Sequence, residues 1–357
     1  MFSPTRRSIR LLATARHSFQ ANHSLATFNE LRRNQSSSSS KPSRVLITGC
    51  FGQIGSELVP ALRERYGSEN VVASDVRLPK DLNFLKEGPF EFLNIMDHRS
   101  LNRILDHYKI DAIIHNAAFV SALAEKRYEE ALEMNSVGAH YMMNAALKHN
   151  CRLMIPSSIA AFGPTTPLDQ TPDFTIQRPN SVYGVGKVYA ELLGEYYAFR
   201  HKVDFRSLRY PGIISYKTLP GGGTTDYAVD IFYSAIRGEK YQCFLSEDVQ
   251  LPMMYMPDCV NCTIKLLEAD QAELKAQRTY NVTSFSITPR ELHKAIQKHV
   301  PGFEIEYHVD PLRQSFAESW PNSLDDTNAR ANWGWQEEFD LDAMVKDMLD
   351  NLRQRIL

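Results

Sequence analysis

Short apolar runs alternate along the first half of the chain with segments whose apolar positions recur every three or four residues. Val45, Leu46 and Ile47 form the first run, and Ile54, Leu58, Val59 and Leu62 then recur at helical spacing to about Tyr66. The alternation continues with strands predicted over residues 70–74, 90–93, 110–115, 153–156 and 203–210. Helices are predicted over 98–108, 127–148 and 181–200, the first with Leu101, Ile104 and Leu105 inward. Apolar strands separated by helices predict an α/β fold with a doubly wound parallel sheet. Beyond residue 215 the rhythm weakens. A helix over 227–236, a strand over 241–245 and a helix over 258–269 are followed by Thr288 and Glu291, a capping box opening a helix to about 299. Residues 304–309 alternate as a strand, and Asp340 caps a last helix ending near Arg355. These pieces predict a smaller mixed α/β domain laid over the carboxyl edge of the sheet. The expected division is 44–215 for the first domain and 216–357 mainly for the second, with 238–270 returning to the first.

Gly49, Gly52 and Gly55 stand between the first strand and the first helix. Strand, glycine turn, helix is the context of a dinucleotide-binding (Rossmann) loop. Gly49 turns the chain off the strand, Gly52 admits a pyrophosphate, and Gly55 lets the helix pack on the strand. The helix N-terminus offers free N–H groups to phosphates. A purely structural glycine turn is the competing reading. Asp75 ends the second strand, 20 residues after Gly55. A carboxylate there accepts from the adenosine ribose hydroxyls and repels a 2′-phosphate, selecting NAD over NADP. Arg77 is close enough to serve NADP instead, and is expected to point to solvent. Asn116-Ala117-Ala118 ends the fourth strand, where small residues leave room for the nicotinamide half of the cofactor.

Ser158 ends the fifth strand, and Tyr183 and Lys187 share one face of the following helix. A phenol with a pKa near 10 is a poor base at neutral pH. An adjacent ammonium is expected to lower that pKa, so that Tyr183 takes a proton from a substrate hydroxyl held by Ser158. A solvated helix face would carry the same Tyr–Lys spacing by chance.

Composition changes this picture at the N-terminus. Residues 1–43 hold six arginines, one lysine, a serine run and a single acid, Glu30. That is the signature of an organelle transit peptide and linker, mitochondrial before plastid, with a disordered basic tail as the alternative. The whole chain carries a net charge of −2, and the part beyond residue 43, with 33 basic and 41 acidic residues, carries −8. An acidic body speaks against nucleic-acid binding. No apolar run reaches the length of a membrane span. Five cysteines argue against a disulfide framework. Cys259 and Cys262 form one C-x-x-C, which alone cannot complete a zinc site; they are expected to be small residues in a first helical turn, with no metal.

The glycine pattern with Thr48, Asn116-Ala117-Ala118, Ser158 and Tyr183-x-x-x-Lys187 together resemble the extended short-chain dehydrogenase/reductase family, over about residues 44–269. The resemblance implies that Tyr183 is the acid/base, that Lys187 also binds the nicotinamide ribose, that Ser158 orients substrate and that Asn135 serves a proton relay. It implies cofactor contacts from Gly49, Cys50, Phe51, Gly52, Gln53, Ile54 and Gly55, from Asp75, Val76 and Arg77, and from Asn94 and Ile95 at the adenine. Further contacts are implied from Asn116, Ala117, Ala118, Tyr210, Pro211 and Ile213. Residues 156–167, 208–235 and 319–335 are similar to the short-chain-type threonine dehydrogenases of that family. By this similarity Ser121, Ser157, Ser158, Tyr183, Thr224, Asp226 and Trp320 line the substrate pocket. The implied reaction is NAD-dependent oxidation of the L-threonine β-hydroxyl in the mitochondrial matrix, by a homodimer, with hand-off of product to a CoA-dependent glycine-forming lyase. Asp226, the one acid in its loop, pairs the substrate ammonium or else caps the following helix. Two other readings stand beside this one: a nucleotide-sugar epimerase or dehydratase, and a non-catalytic NAD-binding protein of the same fold.

Overall fold

In the computed structural model, which describes residues 41–356, the apolar runs become parallel strands. The targeting segment expected over 1–43 lies, except for Lys41, Pro42 and Ser43, outside the described residues. The strands are β1 (Val45–Thr48), β2 (Val71–Asp75), β3 (Phe90–Phe92), β4 (Ala112–His115), β5 (Arg152–Met154), β6 (Ser157–Ser158), β7 (Phe205–Tyr210), β8 (Gly212–Ile214), β9 (Tyr241–Cys243), β10 (Leu251–Tyr255), β11 (Thr279–Asn281), β12 (Phe285–Ile287) and β13 (Ile305–Tyr307). The helices are α1 (Gly55–Tyr66), α2 (His98–Tyr108), α3 (Ser121–Lys126), α4 (Tyr128–His149), α5 (Val182–His201), α6 (Tyr227–Arg237), α7 (Met256–Glu268), α8 (Pro289–Gln297), α9 (Pro311–Ala317), α10 (Thr327–Trp333) and α11 (Leu341–Ile356).

The main sheet runs β11-β7-β5-β4-β1-β2-β3, with β6 also on β7, and every pairing in it is parallel. The fold is a Rossmann-like α/β sandwich. Because β1 pairs with β2 on one side and β4 on the other, the chain leaves these two strands in opposite directions and opens a crevice at their carboxyl ends. On one face Leu58, Val59 and Leu62 of α1 meet Cys259, Cys262 and Leu266 of α7. On the other, Leu101 and Ile104 of α2, Met142 and Met143 of α4, and Ala190 and Tyr197 of α5 form a second core. A third core gathers α6, α8 and α11 over small sheets β12-β10-β8 and β13-β9. α7 packs on the main sheet and β11 is its outer strand, whereas among the described residues β9 pairs only with β13.

Several expected elements change shape for local reasons. The fifth strand stops at Met154, because Pro156 has no N–H to give a ladder, and Ser157–Ser158 resumes as a separate strand on β7. The long helix expected from Arg127 is preceded by a short one, α3, and Arg127 itself breaks the line with φ −132° and ψ 53°. The helix expected from Asp258 begins two residues earlier, at Met256, with Asp258 in its first turn. Tyr255 precedes α7, and the buried Asp258 carboxylate accepts from the amides of Glu338 and Phe339 and from the Ser284 hydroxyl. β8, β10, β11, β12, α9 and α10 are not foreseen by the pattern. The capping box at Thr288 and the Asp340 cap form as expected. Among the described residues, no helix is long and apolar enough to cross a membrane.

Candidate active site

The glycine turn closes tightly against the next strand end. Gly49 has φ +69°, and a Cβ there would lie 2.8 Å from the Ala117 amide nitrogen. A Cβ on Gly55 would collide with the Gly49 carbonyl. Both positions therefore admit only glycine, while α1 begins at Gly55, preceded by Ile54, with no side-chain cap. Beside this turn the Oδ1 and Nδ2 of Asn116 are buried with no protein partner, a cost that a polar ligand lying there would remove. A dinucleotide fits both features. Phe51 and Cys50 serve the turn differently. The Phe51 amide donates to Asp75 Oδ2 at 3.1 Å and its ring packs on Phe84 and Phe90, while Cys50 is buried in the core.

Arg77 is exposed, as expected, with 60% of its side chain accessible, but it does not stand free. Its guanidinium returns to Asp75, with Nε 3.0 Å from Oδ1 and Nη2 3.1 Å from Oδ2. Burial pushes the Asp75 carboxyl up, but the Arg77 side chain and amide and the Phe51 amide together hold it below the usual range. The carboxylate is thus ionised at the end of β2, with Val76 exposed beside it. Three implied cofactor contacts look elsewhere. The Tyr210 phenol is buried on the α7 side, bonded to the Thr263 hydroxyl. Ile95 is buried against Gly138, and Asn94 caps its own turn by accepting from the Met96 amide. Gln53 and Ile213 do meet, Gln53 Nε2 donating to the Ile213 carbonyl at 3.3 Å, next to buried Pro211.

Ser158, Tyr183 and Lys187 come together at the carboxyl edge. Ser181 caps α5 by accepting from the Gly184 amide, and Glu125 of α3 accepts from the Val182 amide, so the helix start is held from two sides. Lys187 Nζ lies 5.3 Å from the Tyr183 ring centroid and donates to the Pro156 carbonyl at 2.6 Å. The expected lowering of the phenol pKa is not what the packing produces. Burial pushes the Tyr183 phenol up to about 12, with only the Ser158 hydroxyl pulling it back. Burial likewise pulls the Lys187 ammonium down to about 8, against the raising pull of Glu191. Both groups are driven toward their neutral forms, because desolvation in this packed corner exceeds the pull of the Ser158 hydroxyl on the one and of Glu191 on the other. Asn135 of α4 brackets Phe119, its Oδ1 accepting from the amide at 3.0 Å and its Nδ2 donating to the carbonyl at 3.2 Å.

Of the implied pocket residues, Trp320 and Tyr183 pack in the same cluster as Ile159 and Phe162. Trp320 Nε1 and Thr224 Oγ1 are buried without a protein partner. Ser121 is buried at the start of α3. Ser157 is not aimed into a pocket: its hydroxyl donates to buried Glu191. Asp226 does not cap α6. Its Oδ2 accepts from the amides of Gly222 and Gly223, both at 2.7 Å, and closes the glycine loop on itself.

The structure adds residues the sequence reading passed over. His115 ends β4, with Nδ1 2.8 Å from Thr48 Oγ1, and burial with Lys187 nearby lowers its pKa to about 3. It lines a small cavity with Asn135, Gly186 and Lys187. Glu57 in the first turn of α1 accepts from Ser215 at 2.7 Å and pairs with Lys217 at 3.0 Å, tying the start of α1 to the chain that leads into residues 219–226. Glu191, four residues past Lys187 on the same face, had a legible signal in its spacing. Cys259 and Cys262 are buried in the core under α7, where desolvation pushes both thiols up. A larger surface cavity of about 370 Å³, lined by Lys240 and residues 300–304 among others, contains none of the residues above.

Comparison with known proteins places this geometry. The NAD dependent epimerase/dehydratase family matches residues 45–283. The chain is 48% identical over 307 residues to the mitochondrial L-threonine 3-dehydrogenase of Bos taurus, covering 86% of this chain and 82% of that one. It superposes on the crystal structure of L-threonine dehydrogenase from Phytophthora infestans with a TM-score of 0.85 at 48% identity, covering 88% of this chain and all of the other. The L-threonine dehydrogenase of Clostridium difficile gives a TM-score of 0.86 at 45% identity, over 88% and 99% of the two chains.

Proposed function

The chain belongs to the NAD dependent epimerase/dehydratase family, and from that membership we propose that it oxidises the β-hydroxyl of L-threonine with NAD, giving L-2-amino-3-oxobutanoate. The observation that carries the reading is Ser158, Tyr183 and Lys187 converging beside the glycine turn in a chain nearly half identical to enzymes named for that reaction. Bound NAD supplies the acceptor for the two electrons and hydrogen leaving the β-carbon. The remaining work belongs to this chain. Ser158 holds the substrate hydroxyl, and Tyr183 takes its proton. Lys187, charged below about pH 8, steadies the phenolate and holds the cofactor ribose, which Asn116 also meets. The proton leaves past Asn135. Asp75 accepts from the adenosine ribose and disfavours a 2′-phosphate, with Arg77 fixing its two oxygens. Asp226, Thr224 and Trp320 receive the amino-acid end, the ammonium against the Asp226 carboxylate.

NADH formation by the purified protein, followed with L-threonine beside a panel of other hydroxy acids and sugar nucleotides, tests the reading. Threonine-dependent NADH is expected. Epimerisation of a sugar nucleotide, or cofactor binding with no turnover on any substrate, would replace it with one of its two rivals.

Two settings follow from the same reading. The arginine-rich first 43 residues and the mitochondrial naming of 48% identical relatives support a matrix enzyme with a transit peptide. Residues 1–43 fused to a reporter are expected to carry it to mitochondria. Val185, Tyr189, Leu192, Tyr196 and Phe199 of α5 are exposed at four- and three-residue steps, the seam of a helix-packing surface, which supports a homodimer. Leu192→Asp is expected to shift the sedimenting species to monomer. The β-keto product is the substrate class of a CoA-dependent glycine-forming lyase, the partner we place downstream.

A further inference from the structure

Three successive residues at the carboxyl edge are each met by a side chain of one helix face. Lys187 donates to the Pro156 carbonyl, Ser157 donates to Glu191, and Tyr183 faces Ser158. Tyr183, Lys187 and Glu191 lie at i, i+4 and i+8 on α5. Two of these contacts involve groups with chemical roles. The third, Ser157 with Glu191, does not touch the reacting atoms, yet it is the most heavily built of the three.

Glu191 is 2% exposed and Arg209 of β7 is 4% exposed. Arg209 grips the carboxylate with Nε 3.0 Å from Oε1 and Nη2 2.8 Å from Oε2. Gln177, from the loop between β6 and α5, donates to Oε2 at 2.8 Å. Arg209 Nη1 reaches the Asp173 carbonyl at 2.8 Å and Asn281 Oδ1 of β11 at 3.1 Å. The charge pair is therefore fully hydrogen-bonded, the condition under which a buried ion pair holds one geometry. Its register is also fixed, since Ser157 pairs with Arg209 and Ser158 with Tyr210 across β6 and β7. The strand has only two residues and follows a proline, so its own ladder is short.

We propose that Glu191, gripped by Arg209, is a positioning residue for the reaction: through the Ser157 hydroxyl it holds strand β6 so that the Ser158 hydroxyl faces the Tyr183 phenol. Ser157 is then a tether to Glu191 and not a wall of the substrate pocket. The proposal rests on Ser158 and Tyr183 acting on threonine as described above.

Ser157→Ala removes only the tether hydroxyl, and Ser157→Thr keeps it. In the full-length protein, kcat with L-threonine is expected to fall about tenfold in Ser157→Ala and to return near wild type in Ser157→Thr. The KM for threonine and the NADH affinity, read by fluorescence titration, are expected to stay within about twofold of wild type. Glu191→Gln keeps an oxygen for Ser157 but loosens the Arg209 grip; if it folds, it is expected to show the same kcat-selective loss. A rise in the threonine KM at unchanged kcat in Ser157→Ala would overturn the proposal and make Ser157 a pocket residue. Wild-type kinetics in Ser157→Ala would overturn it as well. Absence of threonine turnover in the wild-type protein is a different result, and would remove the functional reading beneath it.

Discussion

The floor of the cleft and its rim are built in opposite ways. On the floor, Pro156, Ser157 and Ser158 are met by α5, and Lys187, Glu191 and Arg209 are buried with their polar atoms in use. On the rim, Leu219 is 70% exposed, Gly221 and Gly222 have open space around them, and the loop closes through two amide bonds to Asp226. Many mutually dependent contacts fix atoms where a proton must move, and that precision shows in kcat. A few contacts in a glycine loop fix the rim far less, and on the proposed reading that difference shows in KM.

Breaking the floor at its reacting group is expected to have the largest effect. Tyr183→Phe should lower kcat by roughly 10²–10⁴-fold while NAD binding, measured by calorimetry, stays near wild type. A variant keeping more than about a tenth of the rate would end the general-base role. A second test uses the electrostatics of the same corner. A base whose pKa is raised to about 12 is available only as pH rises, so kcat for oxidation should keep climbing with pH above neutrality and not level off below about pH 10. Lys187 Nζ lies 5.3 Å from the Tyr183 ring centroid, and Lys187→Met should push the climb to higher pH, lower kcat and weaken NAD. An identical pH–rate profile in that variant would remove Lys187 from proton control.

Rim changes should be smaller and of the other kind. Asp226→Asn is expected to raise the threonine KM about tenfold, near 1.4 kcal/mol, with Tm and NAD affinity little changed. A fall in Tm with KM unmoved would leave Asp226 as a loop fastener only. Gly222 has φ +91°, so Gly222→Ala strains the backbone by about 1–2 kcal/mol without meeting a neighbour. It should raise KM a few-fold at constant kcat; a kcat loss instead would erase the distinction between floor and rim.

What the sequence reveals follows the range of the interactions. The glycine turn between β1 and α1, the place of Asp75 at the end of β2, the shared helix face of Tyr183 and Lys187 and the Thr288 box are set by neighbours a few residues away, and each takes the local structure expected of it. β8, β10, β11 and β12 take their partners from distant chain, and Pro252 within β10 reads as a break. The Glu191–Arg209 grip spans 18 residues and two element types, so only its helical half leaves a pattern. The turn of Arg77 back onto Asp75 and the raised Tyr183 phenol depend on three-dimensional crowding. Spacing records which groups can meet, not how much water they lose.

The position of β11 has a consequence for the birth of the protein. β7 is flanked by β5 and by Thr279–Asn281, and Asn281 in turn accepts from Arg209 and donates to the Thr171 and Asp325 carbonyls. While residues up to about 278 are being synthesised, β7 is therefore a bare edge with an unpaired backbone ladder. The Arg209 that steadies the floor also lacks one of its acceptors until then. The nucleotide-binding half, though encoded first, is finished by strands and turns encoded last. Chain made on a ribosome or threaded through a membrane pore must keep this edge from pairing with another chain until nearly the whole sequence has emerged.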